Sequence, residues 1–210
     1  DPTPVQARAV GQALAQVHLA AADFGCERAN SMGPVAWRQL LTDCRSDGLE
    51  SISPGLSRLV ERELSVLAAG WPTDLPRGVI HADLFPDNVL MLGDKVTGLI
   101  DFYFACTDIV AYDLAVTHAA WCFSADGAEF LPDLSAALME GYESVRPLSA
   151  VERAAMPLLA QGAAMRFLAT RAYDWLYTVE DALVTLKDPM AFVRRLEFYA
   201  DPANAEVFSA

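Results

Sequence analysis

The stretch from Gly78 to Tyr103 reads GVIHADLFPDNVLMLGDKVTGLIDFY and alternates apolar runs with polar segments. Three apolar runs, at residues 79–80, 89–92 and 96–100, predict short strands. The second and third runs are separated by Gly93-Asp94-Lys95, which is typical of a hairpin turn. A polar loop with one histidine, two aspartates and one asparagine lies between the first run and the second. The stretch therefore predicts a polar loop followed by a small β-hairpin.

Antiparallel pairing in this hairpin would bring four polar side chains together. Asn88 begins one arm and Asp101 follows the other, so both lie beside the loop that carries His81 and Asp83. A carboxylate can orient and deprotonate an attacking hydroxyl, and Mg²⁺ prefers hard oxygen ligands. We therefore predict Asp83 as a catalytic base and Asn88 and Asp101 as metal ligands. A carboxylate that ends an apolar strand, as expected for Asp101, also needs a partner or a metal. The alternative is a surface loop rich in turn-forming residues.

The composition restricts the function classes. The chain has 210 residues, of which 53% are hydrophobic, enough for one large core. Its 15 basic and 28 acidic residues give a net charge of −13, which argues against binding to nucleic acid or to anionic membranes. The sequence has no apolar run of about 18 residues and no signal peptide, so we expect a soluble protein in the cytoplasm.

Metal or redox chemistry based on cysteine and histidine is not indicated. The cysteines lack CxxC and metal-ligand spacing, and we expect all four to be reduced thiols in the core: Cys26, Cys44, Cys106 and Cys122. His18, His81 and His118 are too scattered to complete a zinc site. His18 is expected to be a packing residue near the end of the first helix.

Most of the remaining chain has helical periodicity. The first helix is expected to be capped by Thr3 or Asp1, with Pro4 at its first position. Residues 23–33 are expected to be irregular. Further helices are predicted at residues 34–44, 54–69, 110–123, 129–145, 149–178 and 188–200, with loops at 46–54 and 105–108. Pro157 is expected to kink or split the longest helix. The sequence therefore predicts an α+β fold that is mostly helical.

Five segments carry a family resemblance: HADLFPDNV, GLIDFYFAC, AYDLA, RFLATRAYDWL and VTLKDP. The pattern His-x-Asp-x4-Asn followed by Ile-Asp-Phe resembles the catalytic and metal-binding loops of kinase-like phosphotransferases. With its aromatic flanks, the chain resembles the homoserine kinases of the aminoglycoside-phosphotransferase-like (protein-kinase-like) type. The resemblance implies the C-terminal lobe of that fold. It also implies ATP-dependent phosphorylation of the L-homoserine hydroxyl, with Mg²⁺, in threonine biosynthesis.

The same resemblance implies roles for individual residues. Asp83 would be the catalytic base, and Asn88 and Asp101 would bind Mg²⁺, as the hairpin argument also predicts. His81 would brace the loop. Asp113, in the helix after the metal loop, would anchor the backbone of the catalytic loop. The alternative for Asp113 is a capping or surface role.

Homoserine is a zwitterion, so its site needs a cation for the carboxylate and an acid for the ammonium group. One predicted helix offers Arg166, Arg171 and Asp174, and we expect these residues to bind the substrate. An ion pair between Arg171 and Asp174 on the helix surface is the alternative. Tyr103 and Asp108 are further candidates, because they follow the predicted metal ligand and should border the acceptor pocket.

The features of a nucleotide-binding lobe are missing from the sequence. Neither of the two lysines, Lys95 and Lys187, lies on a strand before the catalytic loop, and no Gly-x-Gly-x-x-Gly occurs. We therefore expect residues 1–210 to form the catalytic and substrate-binding lobe alone, with little or no kinase activity by itself. The expected partners are ATP and homoserine, and the sequence indicates no oligomeric state.

Three other functions remain open. A related kinase would act on an aminoglycoside, choline or methylthioribose, and an acid-lined pocket would favour a cationic acceptor. A non-catalytic, kinase-derived binding module is the second alternative, although it has no physical need to retain Asp83, Asn88 and Asp101. A metal-dependent hydrolase using His81 and Asp83 is the third, and it lacks further paired histidines and an Asp-x-Asp pattern.

Overall fold

Helices dominate the computed structural model, which describes residues 2–179 and 185–208. The α-helices of this part are α1 (Pro4–Ala20), α2 (Pro34–Ile52), α3 (Leu56–Gly70), α4 (Val110–Trp121), α5 (Pro132–Glu143), α6 (Ala150–Tyr177) and α7 (Met190–Ala200). Its strands are β1 (Arg77–Ile80), β2 (Val89–Leu92), β3 (Lys95–Leu99) and β4 (Cys106–Ile109). Short 3₁₀ helices lie at Pro86–Asn88, Phe102–Phe104 and Pro202–Phe208. The mostly helical α+β fold predicted from the sequence is confirmed. Among the described residues, no helix combines the length and hydropathy that a membrane span needs.

Strands β2 and β3 form the predicted hairpin. They pair antiparallel, with Val89 opposite Leu99 and Leu92 opposite Lys95. The connecting loop contains only Gly93 and Asp94, and Gly93 has a φ of 60°, which glycine adopts without steric cost. The hairpin therefore places the end of the polar loop next to the residues that follow β3.

Strands β1 and β4 form a second antiparallel pair, with Arg77 opposite Ile109 and Ile80 opposite Cys106. The sequence prediction of a loop at residues 105–108 was wrong. Four residues are too few to show a period of two, and here the strand depends on pairing with a distant partner. The polar loop and the hairpin therefore lie in the segment that connects these two paired strands.

Helices α4 and α6 form the centre of the core. Every residue of α4 except Ala120 is buried. Helix α6 packs against α2, α4 and α7 and begins with a capping box between Ser149 and Glu152. The predicted first helix is also confirmed, since Thr3 caps α1 and Pro4 is its first residue. Helix α4 follows β4 directly and contacts both strands of the β1–β4 pair.

The structure corrects the loop predicted at residues 46–54, and it shows α6 undivided at Pro157. Residues 46–52 are helical instead of a loop, and they continue α2 after a kink at Arg45, whose φ is 57°. Leu49 of this extension is buried, so the extension contributes to the core. Helix α6 runs through Pro157 without being split. Proline removes one backbone donor, and the packing of α6 on three neighbouring helices outweighs that loss.

The cysteines are free, as expected, but they are not all in the core. Cys44, Cys106 and Cys122 are buried, whereas Cys26 is exposed in the irregular link before α2. Burial raises the pKa of Cys44 and of Cys106 to about 11, so both remain protonated at neutral pH.

Helices α1 and α5 approach so closely that a methyl group does not fit between them. A Cβ atom on Gly11 would overlap the carbonyl oxygen of Leu138. We expect Gly11→Ala to lower the free energy of unfolding by about 1–3 kcal/mol, because overpacking forces the helices apart. Urea unfolding followed by circular dichroism measures this change. Gly25→Ala is the matched control, since no atom lies within 4 Å of its Cβ position. Equal stability of the two variants would contradict the close contact.

Candidate active site

The polar residues of the catalytic loop and hairpin meet where the sequence predicts. The Ile100 N–H donates to the Asn88 carbonyl (3.0 Å), so Asp101 follows directly at the same end of the hairpin. The Asn88 Nδ2 donates to the Asp83 carbonyl (2.7 Å). Asp83, Asn88 and Asp101 line one cavity of about 330 Å³. Three oxygen-bearing side chains from separate segments therefore share one space.

Two residues of this site have left-handed backbone conformations. Ala82 has a φ of 64° and Asp101 a φ of 61°, values that residues other than glycine rarely adopt. Ala82 immediately precedes Asp83, and both of its backbone polar groups are held, the N–H by Asp113 and the carbonyl by Arg166. Such strain persists only where surrounding contacts enforce it, and it concentrates at functional sites.

Asp113 binds the backbone of the catalytic loop through hydrogen bonds. Its carboxylate accepts the N–H groups of His81 and Ala82, each at 2.7 Å, and the Nε2–H of His18 at 3.0 Å. The side chain is completely buried. Burial by itself would raise the pKa of Asp113, but the hydrogen bond from His18 and those from the two backbone N–H groups bring that pKa below its usual value. Asp113 therefore has the anchoring contacts that the resemblance implies.

His18 is a buried partner of this anchor, which the sequence analysis treated as a packing residue. The Tyr142 hydroxyl accepts a hydrogen bond from Arg146 and donates to His18 Nδ1 (2.8 Å). His18 Nε2 is then the nitrogen that carries the proton and donates to Asp113. The available signal was a polar residue one turn after Leu14 on the buried face of α1. Its partners are too distant in sequence for that signal to identify them.

His81 ties the loop to the hairpin. Its Nε2 donates to the Ile100 carbonyl (2.9 Å), and its Nδ1 accepts the N–H of Asp83 (3.2 Å). The ring also contacts Phe102, with ring centroids 4.6 Å apart. These contacts fix one tautomer and are the bracing contacts that the resemblance implies.

Arg166 lies behind the catalytic loop, and it does not line the cavity as the sequence led us to expect. The guanidinium donates to the Ala82 carbonyl and lies 3.9 Å from Asp83 Oδ1. The rings of Phe104 and Phe167 are 5.2 and 4.6 Å from it. Its side chain is only 3% exposed, so it cannot meet a substrate in the cavity. Its contacts make it a residue that positions Asp83.

The charges around Asp83 act in opposite directions. Burial raises the pKa of Asp83 above its usual value, and the positive charge of Arg166 opposes that rise. The negative charge of Asp101 adds to the rise in pKa, whereas the positive charge of Lys187 lowers it. A carboxylate with a raised pKa is a better proton acceptor than one in water.

Arg171 and Asp174 line the same cavity as Asp83. In the described part of the chain they form no ion pair with each other; Arg171 instead donates to the Asp188 carbonyl (3.1 Å). Its guanidinium lies 4.5 Å from the Phe192 ring centroid. Burial lowers the pKa of Arg171 to about 10, so it remains charged at neutral pH. Burial also raises the pKa of Asp174. The cavity therefore has a cation and an acid on its α6 side.

Tyr103 and Asp108 do not line this cavity. Tyr103 lies in the 3₁₀ helix after Asp101 with its side chain in solvent. Asp108 lies on β4, where it accepts a hydrogen bond from Asn30 (2.7 Å) and pairs with Arg77 (3.1 Å). Because β4 pairs with β1, Asp108 is held in the second sheet and not at the acceptor side. The structure therefore gives neither residue a place in the cavity.

The oxygen atoms of Asn88 and Asp101 suit Mg²⁺. Asp101 is exposed, so its position at the end of a strand does not by itself require a partner or a metal. Within the described ranges, no group of three His, Cys, Asp or Glu side chains could hold a metal ion by itself. Mg²⁺ commonly takes one or two protein ligands and completes its shell with water and substrate phosphates. The donors present fit that pattern.

Comparisons with known proteins agree with this geometry. Residues 1–148 match the protein-family model described as the phosphotransferase enzyme family. The chain is 54% identical over 197 residues to a homoserine kinase of Gluconacetobacter diazotrophicus, covering 93% of this chain and 61% of that protein. It is 51% identical over 206 residues to a homoserine kinase of Xanthobacter autotrophicus, covering 98% and 63%. The chain thus spans about 60% of the length of these curated relatives.

A solved structure has the same fold. The chain aligns with a choline/ethanolamine kinase family protein from Mesorhizobium loti with a TM-score of 0.62 and 17% identity, covering 97% of this chain and 65% of that one. At this identity the likeness concerns the fold alone. It confirms the predicted fold.

Proposed function

Because this chain belongs to the phosphotransferase enzyme family, we propose that it catalyses transfer of the terminal phosphoryl group of ATP to the side-chain hydroxyl of L-homoserine. The observation that carries the proposal is one cavity lined by Asp83, Asn88 and Asp101 together with Arg171 and Asp174. The names of the relatives at 54% and 51% identity support homoserine as the acceptor. A place in threonine biosynthesis and a cytoplasmic location are part of the proposal.

The acceptor side of the cavity suits an α-amino acid. Arg171 presents a planar guanidinium that is already oriented by Asp188 and Phe192, and its remaining N–H groups can bind the homoserine carboxylate. Asp174 lies one helical turn further along α6 and can accept the ammonium group. The two charges would orient homoserine with its side-chain hydroxyl toward Asp83.

Asp83 then acts as the general base. The homoserine hydroxyl oxygen forms a bond to the γ-phosphorus while the bond from that phosphorus to the β,γ-bridging oxygen breaks. The electron pair of the broken bond leaves with ADP, and the hydroxyl proton passes to the Asp83 carboxylate. Arg166 and His81 hold the loop around Asp83, so that the carboxylate is oriented before the substrate arrives.

Asn88 and Asp101 would hold Mg²⁺ at the phosphate side of the cavity. When bound, the metal ion supplies neutralisation of the phosphate charge. In this proposal residues 1–210 are the catalytic and substrate-binding lobe. The phosphate-covering loop and lysine of a nucleotide lobe would come from outside these residues.

The direct test is transfer of ³²P from labelled ATP to L-homoserine. It should be made with this chain alone and with this chain joined to the segment of the G. diazotrophicus homoserine kinase that it does not cover. We expect transfer in the joined protein and little in the chain alone. Turnover of choline or an aminoglycoside without turnover of homoserine would reject the acceptor. Absence of transfer to every acceptor would favour the non-catalytic binding module.

A cationic acceptor is the second candidate, and one observation favours it. Four carboxylates line the cavity, from Asp83, Asp87, Asp101 and Asp174, against the two cations of Arg171 and Lys187. An acidic lining attracts a polycation such as an aminoglycoside. The acceptor panel in the transfer assay therefore has to include choline and an aminoglycoside as competitors of homoserine.

Removing the cation on the acceptor side should affect homoserine selectively. We expect Arg171→Met to raise KM for homoserine by about 10- to 100-fold, since a hydrogen bond to a charged group contributes about 1.5–3 kcal/mol. KM for ATP should stay unchanged, because Arg171 is placed on the acceptor side. Steady-state kinetics on the joined protein measure both values. Arg58→Met, an exposed change on α3, is the matched control. An equal rise in KM for ATP would contradict the assignment.

A further inference from the structure

Lys187 is the second cation that lines the cavity, beside Arg171, and it has no role in the proposed function as described so far. It lines the cavity with Asp83, Asn88 and Asp101, although more than a third of the chain separates it from them. Its Nζ lies 5.7 Å from the centre of the Phe85 ring, and Phe85 is the second residue after Asp83. The ammonium group is therefore beside the catalytic loop.

The surroundings hold Lys187 in this place. Phe85 is fixed by an edge-on contact with Phe167, with ring centroids 4.8 Å apart, so the ring is a firm platform for the lysine side chain. The next residue, Asp188, is tied at two points: its carbonyl accepts from Arg171 (3.1 Å), and its carboxylate accepts the N–H of Met190 (2.8 Å). The backbone after Lys187 is thus attached to both α6 and α7.

The charges that line the cavity indicate a role for the Lys187 ammonium group. Asp101 would hold Mg²⁺, but two further carboxylates line the cavity, those of Asp83 and Asp87, and they would repel a phosphoryl group. Arg166 is buried behind the loop, and Arg171 is assigned to the acceptor carboxylate. Among the described residues that line the cavity, Lys187 is then the remaining cation that can face the phosphoryl oxygens.

We propose that Lys187 is a catalytic residue that contacts the phosphoryl group during its transfer and in the phosphorylated product. Its ammonium group donates hydrogen bonds to non-bridging phosphoryl oxygens and takes no proton from any group. The bonds formed and broken are those already given: oxygen to γ-phosphorus forms, the β,γ-bridge breaks, and the hydroxyl proton goes to Asp83. Positive charge at the transferring group stabilises charge that the carboxylates would otherwise repel. This inference rests on the proposed function.

Homoserine and its phosphorylated product differ only in the phosphoryl group, which is the group that Lys187 would contact. Homoserine and O-phosphohomoserine share the carboxylate and ammonium groups, so a contact to phosphate affects only the second ligand. Calorimetric titration of both ligands is made with the unaltered protein, Lys187→Met, Lys187→Arg and Lys95→Met. Lys95 is the only other lysine in the sequence and lies on the hairpin outside this cavity, which makes it a matched control.

We expect Lys187→Met to weaken O-phosphohomoserine binding by about tenfold or more and homoserine binding by less than about twofold, since charge-assisted hydrogen bonds to phosphate are strong. Lys187→Arg should largely restore binding of the phosphorylated ligand, and Lys95→Met should change neither affinity. Because Lys187 is exposed, loss of folding is not expected to obscure the result. In the joined protein, Lys187→Met should lower kcat and leave KM for homoserine unchanged.

Each other outcome overturns the assignment in a recognisable way. Equal weakening of both ligands would place Lys187 on the homoserine carboxylate. Unchanged affinity for both would show that it only covers Phe85. Failure of the unaltered protein to bind either ligand would reject the proposed acceptor, and this inference with it.

A spectroscopic measurement gives an answer that does not depend on turnover. With two lysines in the sequence, reductive ¹³C-methylation labels few sites, and Lys187→Arg assigns the Lys187 signal by its disappearance. Addition of O-phosphohomoserine should shift that signal, and addition of homoserine should not. A shift of equal size with both ligands would contradict contact with the phosphoryl group.

Discussion

Replacing Asp83 with asparagine is expected to lower kcat for phosphoryl transfer by a factor of about 10²–10⁴, the usual contribution of a general base. Asparagine keeps the size of the side chain but cannot take the hydroxyl proton. The loop should keep its shape, because Asn88 donates to the Asp83 backbone carbonyl and His81 accepts the Asp83 N–H. KM for homoserine and for ATP should therefore change little. Steady-state kinetics on the joined protein measure the effect.

The control for this prediction is Asp94→Asn. Asp94 lies in the hairpin turn of the same segment and outside the cavity, so the charge change is matched without touching the site. A similar small loss of kcat in both variants would show that Asp83 is not the base. A loss confined to KM would instead place Asp83 in ground-state binding.

Replacing Asp113 with alanine is expected to have the largest effect on stability. Removal of the carboxylate leaves the buried N–H groups of His81 and Ala82 and the Nε2–H of His18 without their acceptor. Breaking a buried charged network of this kind costs about 3–5 kcal/mol of unfolding free energy. The catalytic loop also loses its anchor, so activity should fall together with stability. Urea unfolding measures the first effect and the transfer assay the second.

The pH dependence of stability gives an independent test of the same network. The pKa of Asp113 is lower in the folded protein than its unfolded value of about 3.9, so folding favours the ionised form. Its contribution to stability is present above about pH 4 and is lost as the pH falls through the lower folded pKa. The unaltered protein should therefore lose stability below about pH 4, and its advantage over Asp113→Ala should narrow there. Asp23→Ala, an exposed change in the irregular link, should keep the normal profile. A constant difference between the unaltered protein and Asp113→Ala at all pH values would contradict an ionised Asp113.

The sequence was informative where function depends on neighbouring residues. The loop and hairpin of residues 78–103 form locally, since Gly93 and Asp94 set the turn and apolar alternation sets the strands. Their register then follows from the turn, and it brings Asn88 beside Asp101. The start of α1 was predicted correctly because Thr3 and Pro4 define it through capping contacts within a few residues. Local hydrogen bonding and sterics are enough to define such features.

The sequence was misleading where a residue's role depends on a distant partner. Strand β4 exists because it pairs with β1, and that pairing holds Asp108 in a sheet instead of at the acceptor side. Arg166 has the pattern of a substrate-binding arginine, but the packing of α6 on the core directs it behind the catalytic loop. Neither outcome could be predicted from spacing along the chain.

By itself, then, the sequence determined the fold class, the loop-hairpin segment and the three oxygen-bearing residues that meet at its end. Only the tertiary structure decided which cations and histidines contact that segment or the residue that anchors it. It linked His18 to Asp113, placed Arg166 against Asp83, and brought Lys187 over Phe85. The physical reason is the range of the interactions: turns and caps act over a few residues, whereas buried hydrogen bonds and charge pairs form only after the helices have packed.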